Sequence, residues 1–496
     1  MAKAAGGQLF TLLEGPESAG HTRRSQVYKS CLKAILDGRL ARGSRLPSAR
    51  ELARDWRISR NTIDEALLQL QADGFLERRV GDGTYVSRDL PSTASRKPAA
   101  MRPASRAAQA SYSAWAQRAL HSRLPGGSPQ PRAFFAGFPA LEFFPLDLWQ
   151  RLTTRRYRTG GRDLLGYMPS MGLPALREAT ARHLAISRGV TCAPEQVMIL
   201  NSLIQGVELL SRVLLERDDA VWVEEAGYPN VRTALSMSGA RLVPVPMDEE
   251  GLDVAAGQEL APKPALVHVT PAFQYPSGTR MSLQRRLALL EWANRSGAWI
   301  VEDDYQGDFN YEARNIEPLQ ALDRASRVIH LGTYTNAVFP SLRLAYMVIP
   351  PPLCAVFEAV RSQLDDHTHG IQQAVLADFI DGGHLSSHMR RMRSIYKSRR
   401  DTLLGELHAT LRDEYPLGPA HGGMNVAMHL PKAMRDAPLC ERGWKAGLHL
   451  APLSRHAPTQ GGLNGLFLGY AALSEREIRA GARRLARFIE AEHRRR

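Results

Sequence analysis

Seven short apolar runs mark the second part of the chain: VMIL at 197–200, AVWVEE, RLVPVP, ALVHVT, AWIVEDD at 298–304, RVIHLG and LAYMVIP at 344–350. Strands that are apolar almost without interruption are buried on both faces, and helix-length segments separate several of them. This pattern predicts an α/β domain with a mainly parallel sheet, whose ligand sites lie at the carboxyl ends of the strands. A length of 496 residues leaves room for about three folding units. Hydrophobic residues at 44% and charged residues at 23% exclude a disordered chain, a collagen and a coiled-coil rod. No apolar stretch is long enough to span a membrane, and MAKAAGGQLFTLLEG lacks the basic-then-apolar order of a signal segment. A soluble, cytoplasmic protein without a membrane partner is expected. Cys31, Cys192, Cys354 and Cys440 lie far apart with no CxxC spacing, so they read as buried thiols rather than as disulfides or zinc ligands.

The net charge of +14 is unevenly placed. Residues 21–133 hold 21 lysines and arginines against 9 acidic residues, whereas the 363 residues after 133 have a balance of only +3. A basic module on a near-neutral body points to a polyanionic partner, with nucleic acid favoured because no strongly amphipathic basic helix stands out. The chain divides into an N-terminal tail (1–20), a basic module (21–88), a Ser/Ala/Pro/Arg-rich linker (89–133) and the α/β body (134–496). A linker of that length has an r.m.s. reach of roughly 35 to 40 Å, about one turn of DNA.

Within the basic module, Val27, Cys31, Ala34 and Ile35 form one helical stripe. In LPSARELARDWRISRNTIDEALLQLQADGFLERRVGDGTYVS, Ser48 can cap a short helix with Glu51 three residues on, and Arg57-Ile58 makes a turn. Ser59 then caps a second helix that buries Ile63, Ala66, Leu67 and Leu70 and leaves Arg60, Asn61 and Thr62 exposed in its first turn. Those side chains suit base edges and phosphates. FLERRVGDGTYV reads as a hairpin with a small basic wing at Gly81-Asp82-Gly83. Capped helices and a hairpin alone would make an ordinary small domain. Over about 65 residues, however, this stretch resembles the winged helix-turn-helix of the GntR family. That resemblance implies double-stranded operator DNA as partner and Arg50, Ser59, Arg60, Asn61, Thr62, Gly83 and Thr84 as its contacts.

The body carries six collinear segments: FPLDLW, LLGYMPSMGLPALREATARHLAISRGV, EEAGYPN, TPAFQYPSG, VEDDYQGDF and GTYTNAVFPSLRL. Together they resemble the fold type I, aspartate aminotransferase-like superfamily, with a smaller C-terminal α+β subdomain. Joined to a GntR module, they resemble the MocR/GabR type of regulator, which implies a homodimer and a small-molecule effector, either pyridoxal phosphate-related or amino-acid-like. A carboxylate beside the pyridine nitrogen of pyridoxal 5'-phosphate keeps that nitrogen protonated. The resemblance gives this role to Asp303, a hydrogen bond to the ring's phenolic oxygen to Tyr305, and ring stacking to Tyr228. Thr333, Thr335 and Arg343 would take the phosphate.

Three departures bear on chemistry. Where the family has GTxSK this chain reads GTYTN, so Asn336 stands at the position of the Schiff-base lysine. An amide nitrogen shares its lone pair with its carbonyl and is neither a nucleophile toward an aldehyde nor a general base. In NSLIQG, Leu203 takes the place of a glycine that lets the backbone approach the phosphate. In NGLFLGY, Phe467 replaces the arginine that grips a substrate carboxylate. These losses argue against ordinary transamination, leave no catalytic residue to assign, and limit pyridoxal phosphate to noncovalent binding. The rival readings are an active aminotransferase with an accessory DNA-binding arm, and a regulator whose body is a cofactor-free scaffold. His384 and His388 have a helical metal-ligand spacing, but the arginines of HMRRMR would repel a cation, and no metal site is assigned.

Overall fold

The computed structural model describes residues 22–79, 81–90, 112–113, 116–117, 120, 133–312, 317–411, 414–457 and 462–494. The tail 1–20 and nearly all of the proposed linker lie outside the described residues. The chain divides into two compact units, Met1–Tyr112 and Ser113–Arg496.

The first unit has helices α1 (Arg23–Leu36), α2 (Ala49–Trp56) and α3 (Arg60–Ala72), followed by a hairpin of β1 (Leu76–Arg79) and β2 (Gly83–Val86). The stripe on α1 packs with Leu52, Trp56, Ile63, Leu67, Leu70, Leu76 and Val86 in one core. Each helix start is fixed by its own sequence. The Ser48 side chain accepts from the Glu51 N–H while the Glu51 carboxylate accepts from the Ser48 N–H, a complete capping box. Arg57 ends α2 in the left-handed region at φ 52°, which turns the chain into α3. The hairpin is tied down by Leu46 N–H donating to Thr84 O at 2.8 Å and Val86 N–H donating to Ser44 O at 2.9 Å. Ser48→Ala removes one half of the capping box and should lower the unfolding free energy of this unit by about 1 kcal/mol, read by urea titration of far-UV circular dichroism.

All seven apolar runs of the second unit form one sheet. Its strands are β3 (Val197–Leu200), β4 (Ala220–Glu224), β5 (Arg241–Val245), β6 (Leu266–Val269), β7 (Trp299–Asp303), β8 (Val328–Thr333) and β9 (Ala345–Val348). Their order is β3-β9-β8-β7-β6-β4-β5, and β9 alone runs antiparallel to its neighbours. Alternate residues serve opposite faces: Val221, Val223, Leu266 and Val301 enter one apolar layer, while Ala220, Trp222, Val267 and Ile300 enter another. Both faces are covered along β3, β4, β6, β7, β8 and β9, which is why these runs are mostly apolar, whereas β5 at the sheet edge exposes Arg241 and Pro244. A smaller three-stranded antiparallel sheet of β10 (Asn425–His429), β11 (Ala451–Pro452) and β12 (Gly465–Gly469), with the helix Glu475–Arg494, forms the C-terminal α+β part. Cys31 and Cys440 are buried as expected, but Cys192 and Cys354 are only half-buried. Among the described residues no helix is long and apolar enough to cross a membrane, and no cluster of metal-ligating side chains occurs.

Candidate functional site

On the first unit, Arg50, Arg60 and Asn61 are exposed at the starts of α2 and α3. Arg60 reaches Asp64 one turn on at 3.4 Å, an exposed pair that a stronger anion can displace. Thr62 differs from expectation. It is half-buried, and its hydroxyl lies 2.7 Å from that of Ser59, whose side chain also accepts from the Thr62 N–H. Ser59 and Thr62 thus fix the start of α3. In the wing, Gly83 has φ 132° and passes so close to Arg45 that a Cβ there would meet its Nε at 2.8 Å. Thr84 is half-buried, with its carbonyl taken by Leu46. Arg45 and Arg79, the latter with its guanidinium 4.5 Å from the centre of the Tyr85 ring, add cations that motif matching does not select. The RR in FLERRVGDG is the available signal.

In the body, the carboxyl ends of the parallel strands and the amino end of the antiparallel β9 share one edge, and the expected residues collect there. Asp303 is the last residue of β7 and Thr333 the last of β8, while Tyr228 follows β4 and Arg343 precedes β9. Tyr275, in the QYPSG stretch and absent from the expected set, is the hub. Its ring lies 5.4 Å from that of Tyr228, 5.8 Å from Tyr305, 5.0 Å from His456 and 5.1 Å from Phe467. Phe467 is buried within this aromatic group, at the centre of β12. Leu203 is half-buried at the first turn of the helix Leu203–Leu214 and packs, as Tyr228 does, on the apolar layer under the site.

The electrostatics centre on two buried carboxylates. Asp303 is buried, its Oδ1 has no hydrogen-bond partner among the described residues, and its Oδ2 lies 3.6 Å from His268 Nε2, which has none among them either. Burial raises the Asp303 pKa, and His268 opposes that rise. His268 lies on β6, beside β7, and its place in an alternating strand gives no chemical signal in the sequence. Glu224, also raised by burial, accepts from Thr270 N–H at 3.0 Å, Thr270 Oγ1 at 2.6 Å and Gln274 Nε2 at 3.2 Å, and so holds the loop after β6 that carries Tyr275. Burial also raises Tyr228, with the Asp303 charge adding to the rise and Arg343 opposing it, so these three groups share one field.

Asn336 is half-buried, and its Nδ2 donates to Tyr305 O at 3.1 Å. Thr333 accepts from Thr335 N–H at 3.1 Å, and its hydroxyl is 3.5 Å from Leu344 O. Arg343 is exposed, at φ 51°. His388 packs on Phe144 at 5.8 Å, and burial with Arg391 lowers it to about 4, so it is a core side chain.

Residues 23–86 match the family of bacterial regulatory proteins of the gntR type, and residues 146–452 match aminotransferase class I and II. The chain is 36% identical to a probable rhizopine catabolism regulatory protein, MocR, of Rhizobium meliloti, covering 92% of this chain and 91% of that protein. It is 30% identical to the HTH-type transcriptional regulator TauR of Rhodobacter capsulatus, over 96% of this chain and 97% of TauR. The crystal structure of LysN, an α-aminoadipate aminotransferase from Thermus thermophilus complexed with N-(5'-phosphopyridoxyl)-L-leucine, matches 77% of this chain and 95% of its own at 29% identity, with a TM-score of 0.68. The winged helix of the first unit and the seven-stranded sheet of the second carry these two family matches in the order that MocR and TauR share over nearly their whole lengths, and the chain belongs to the MocR-type transcriptional regulators, which join a gntR-type domain to an aminotransferase class I and II domain.

Proposed function

We propose that this chain reads double-stranded operator DNA through α2, α3 and the wing, and that its body senses a small molecule without performing transamination. One observation carries the second half. After residue 133 the sequence has only four lysines, Lys263, Lys397, Lys432 and Lys445, and every one is exposed. The pocket edge instead presents Asn336, whose amide is committed to the Tyr305 carbonyl.

The residues fit the ring of pyridoxal 5'-phosphate. The unpartnered Oδ1 of Asp303 is the acceptor that a protonated pyridine nitrogen needs, in a setting buried enough to make the pair strong. Tyr228 would cover one face of that ring, and Tyr305 would donate to its phenolic oxygen. Thr333, Thr335 and Arg343 would hold the phosphate, and Leu203, at the family's glycine position, would crowd that end. When bound, the cofactor supplies an aldehyde and an electron-withdrawing ring. Asp303 would then accept from the protonated ring nitrogen, with His268 Nε2 3.6 Å from its other oxygen. Among the described residues no lysine stands on the pocket edge to offer an amine, so binding would stay reversible. For the unmodified chain, dialysis should therefore remove the cofactor, and Asp303→Asn should weaken its binding at least about tenfold in a fluorescence titration. Equal affinity for both proteins would remove Asp303 from the site.

A homodimer is part of this reading. Leu165, Tyr167 and Ile186 are large apolar side chains left exposed, as side chains covered by a second copy would be.

A further inference from the structure

We propose that Arg232 and His456 form an anion-binding end of this pocket, one that takes the carboxylate of a small molecule with an apolar body. The inference rests on reading the body as a ligand pocket. Arg232 lies on the helix Pro229–Leu235, one turn beyond Tyr228, and His456 is held against the start of that segment by Gly227 N–H donating to His456 O at 2.9 Å. The His456 ring is 5.0 Å from Tyr275 and 5.7 Å from Phe467, so this corner joins the aromatic wall of the pocket.

Two polar atoms here have nothing to bond among the described residues: Arg232 Nη1 and His456 Nδ1 are both buried without a hydrogen-bond partner there. No acid is placed to compensate among the described residues, and the neighbouring stretch 458–461 reads Pro-Thr-Gln-Gly, which offers none either. Taking one end of a guanidinium out of water without an anion is costly, and a structure that does so has a use for the charge. Burial alone lowers the Arg232 pKa, and burial with Arg232 and Arg455 lowers His456 to about 4, so the imidazole is neutral at physiological pH and the positive charge of the corner comes from arginine. A carboxylate would accept from the planar guanidinium and from an imidazole N–H. The surrounding Tyr275, Tyr228 and Phe467 rings would cover the rest of such a ligand, whereas a phosphate dianion would leave oxygens facing apolar rings. The aromatic ring at 467 thus makes part of the wall, and the charge is supplied by Arg232 instead.

The test compares the full-length chain with Arg232→Met, which keeps much of the length of the side chain and removes its charge. Melting temperatures are measured with saturating 3-phenylpropanoate, with 3-phenylpropan-1-ol, and with inorganic phosphate, all at matched ionic strength in chloride. The carboxylate should raise the melting temperature of the unmodified chain by about 2 to 4 °C. The alcohol and phosphate should do markedly less. Arg232→Met should melt at or above the temperature of the ligand-free unmodified chain, because an unpaired charge has gone, and should lose the carboxylate response. A merely structural arginine would instead lower the melting temperature on removal. An equal response of both proteins, an alcohol effect equal to the acid's, or a larger effect of phosphate would overturn the proposal. If pyridoxal phosphate binds through Asp303 while 3-phenylpropanoate shifts nothing, this inference fails and the pocket reading stands. If neither binds, both fail.

Discussion

Asn336→Lys should turn a chain that pyridoxal phosphate leaves unmodified into one that carries a borohydride-stable adduct. In the unmodified protein the amide at this position has no lone pair to offer, and its Nδ2 is engaged with Tyr305 O at 3.1 Å. A lysine there would follow the end of β8 beside Asp303 and Tyr305, and its pKa would fall in so enclosed a setting, which favours attack on an aldehyde. Mass spectrometry after borohydride reduction should show near-complete modification of Asn336→Lys and none of the parent. If Leu203 closes the phosphate end, the single variant should remain unmodified and Asn336→Lys with Leu203→Gly should react. An adduct on the parent protein would mean that one of the exposed lysines carries the cofactor, and binding would then not be reversible.

The second large effect concerns DNA. Arg50→Ala and Arg60→Ala should each cost about 1 to 3 kcal/mol of operator binding, a roughly 5- to 150-fold loss, without changing the oligomeric state. Both side chains are exposed at helix starts, and neither supports the core of the unit, so stability should not change. Thr62→Ala should behave differently. Its hydroxyl meets Ser59 at the cap, so part of its effect on binding should arise from a lower stability of the unit. Electrophoretic mobility shifts alongside denaturant titrations separate the two. Unchanged operator affinity for both arginine variants would mean that these helix starts do not meet DNA.

The strands were legible because a strand buried on both faces has no room for polar alternation, and every apolar run that met this condition became part of the sheet. Caps were legible because Ser48, Glu51 and Ser59 act within one turn of themselves. The hidden part was whatever depends on residues distant in sequence. Tyr275 becomes the hub of the site because β6 ends beside β4 and β7, and because His456 and Phe467 arrive from the C-terminal part. His268 stands behind Asp303 only through the register of neighbouring strands, in which His268 pairs with Val301. Arg232 carries no mark in the sequence, and only a buried nitrogen without a partner distinguishes it.

If ligand binding in the body serves DNA recognition rather than turnover, the two must respond differently to the same small molecules. The most direct test uses the full-length chain and a duplex selected by that chain from a random pool. Operator affinity is measured with and without saturating pyridoxal phosphate and 3-phenylpropanoate, and amino-group transfer is followed in the same samples with an amino acid and a keto acid present. Operator affinity should change severalfold with ligand while no transfer occurs. Steady transfer together with a DNA affinity indifferent to every ligand would contradict this and identify an aminotransferase carrying a DNA-binding arm.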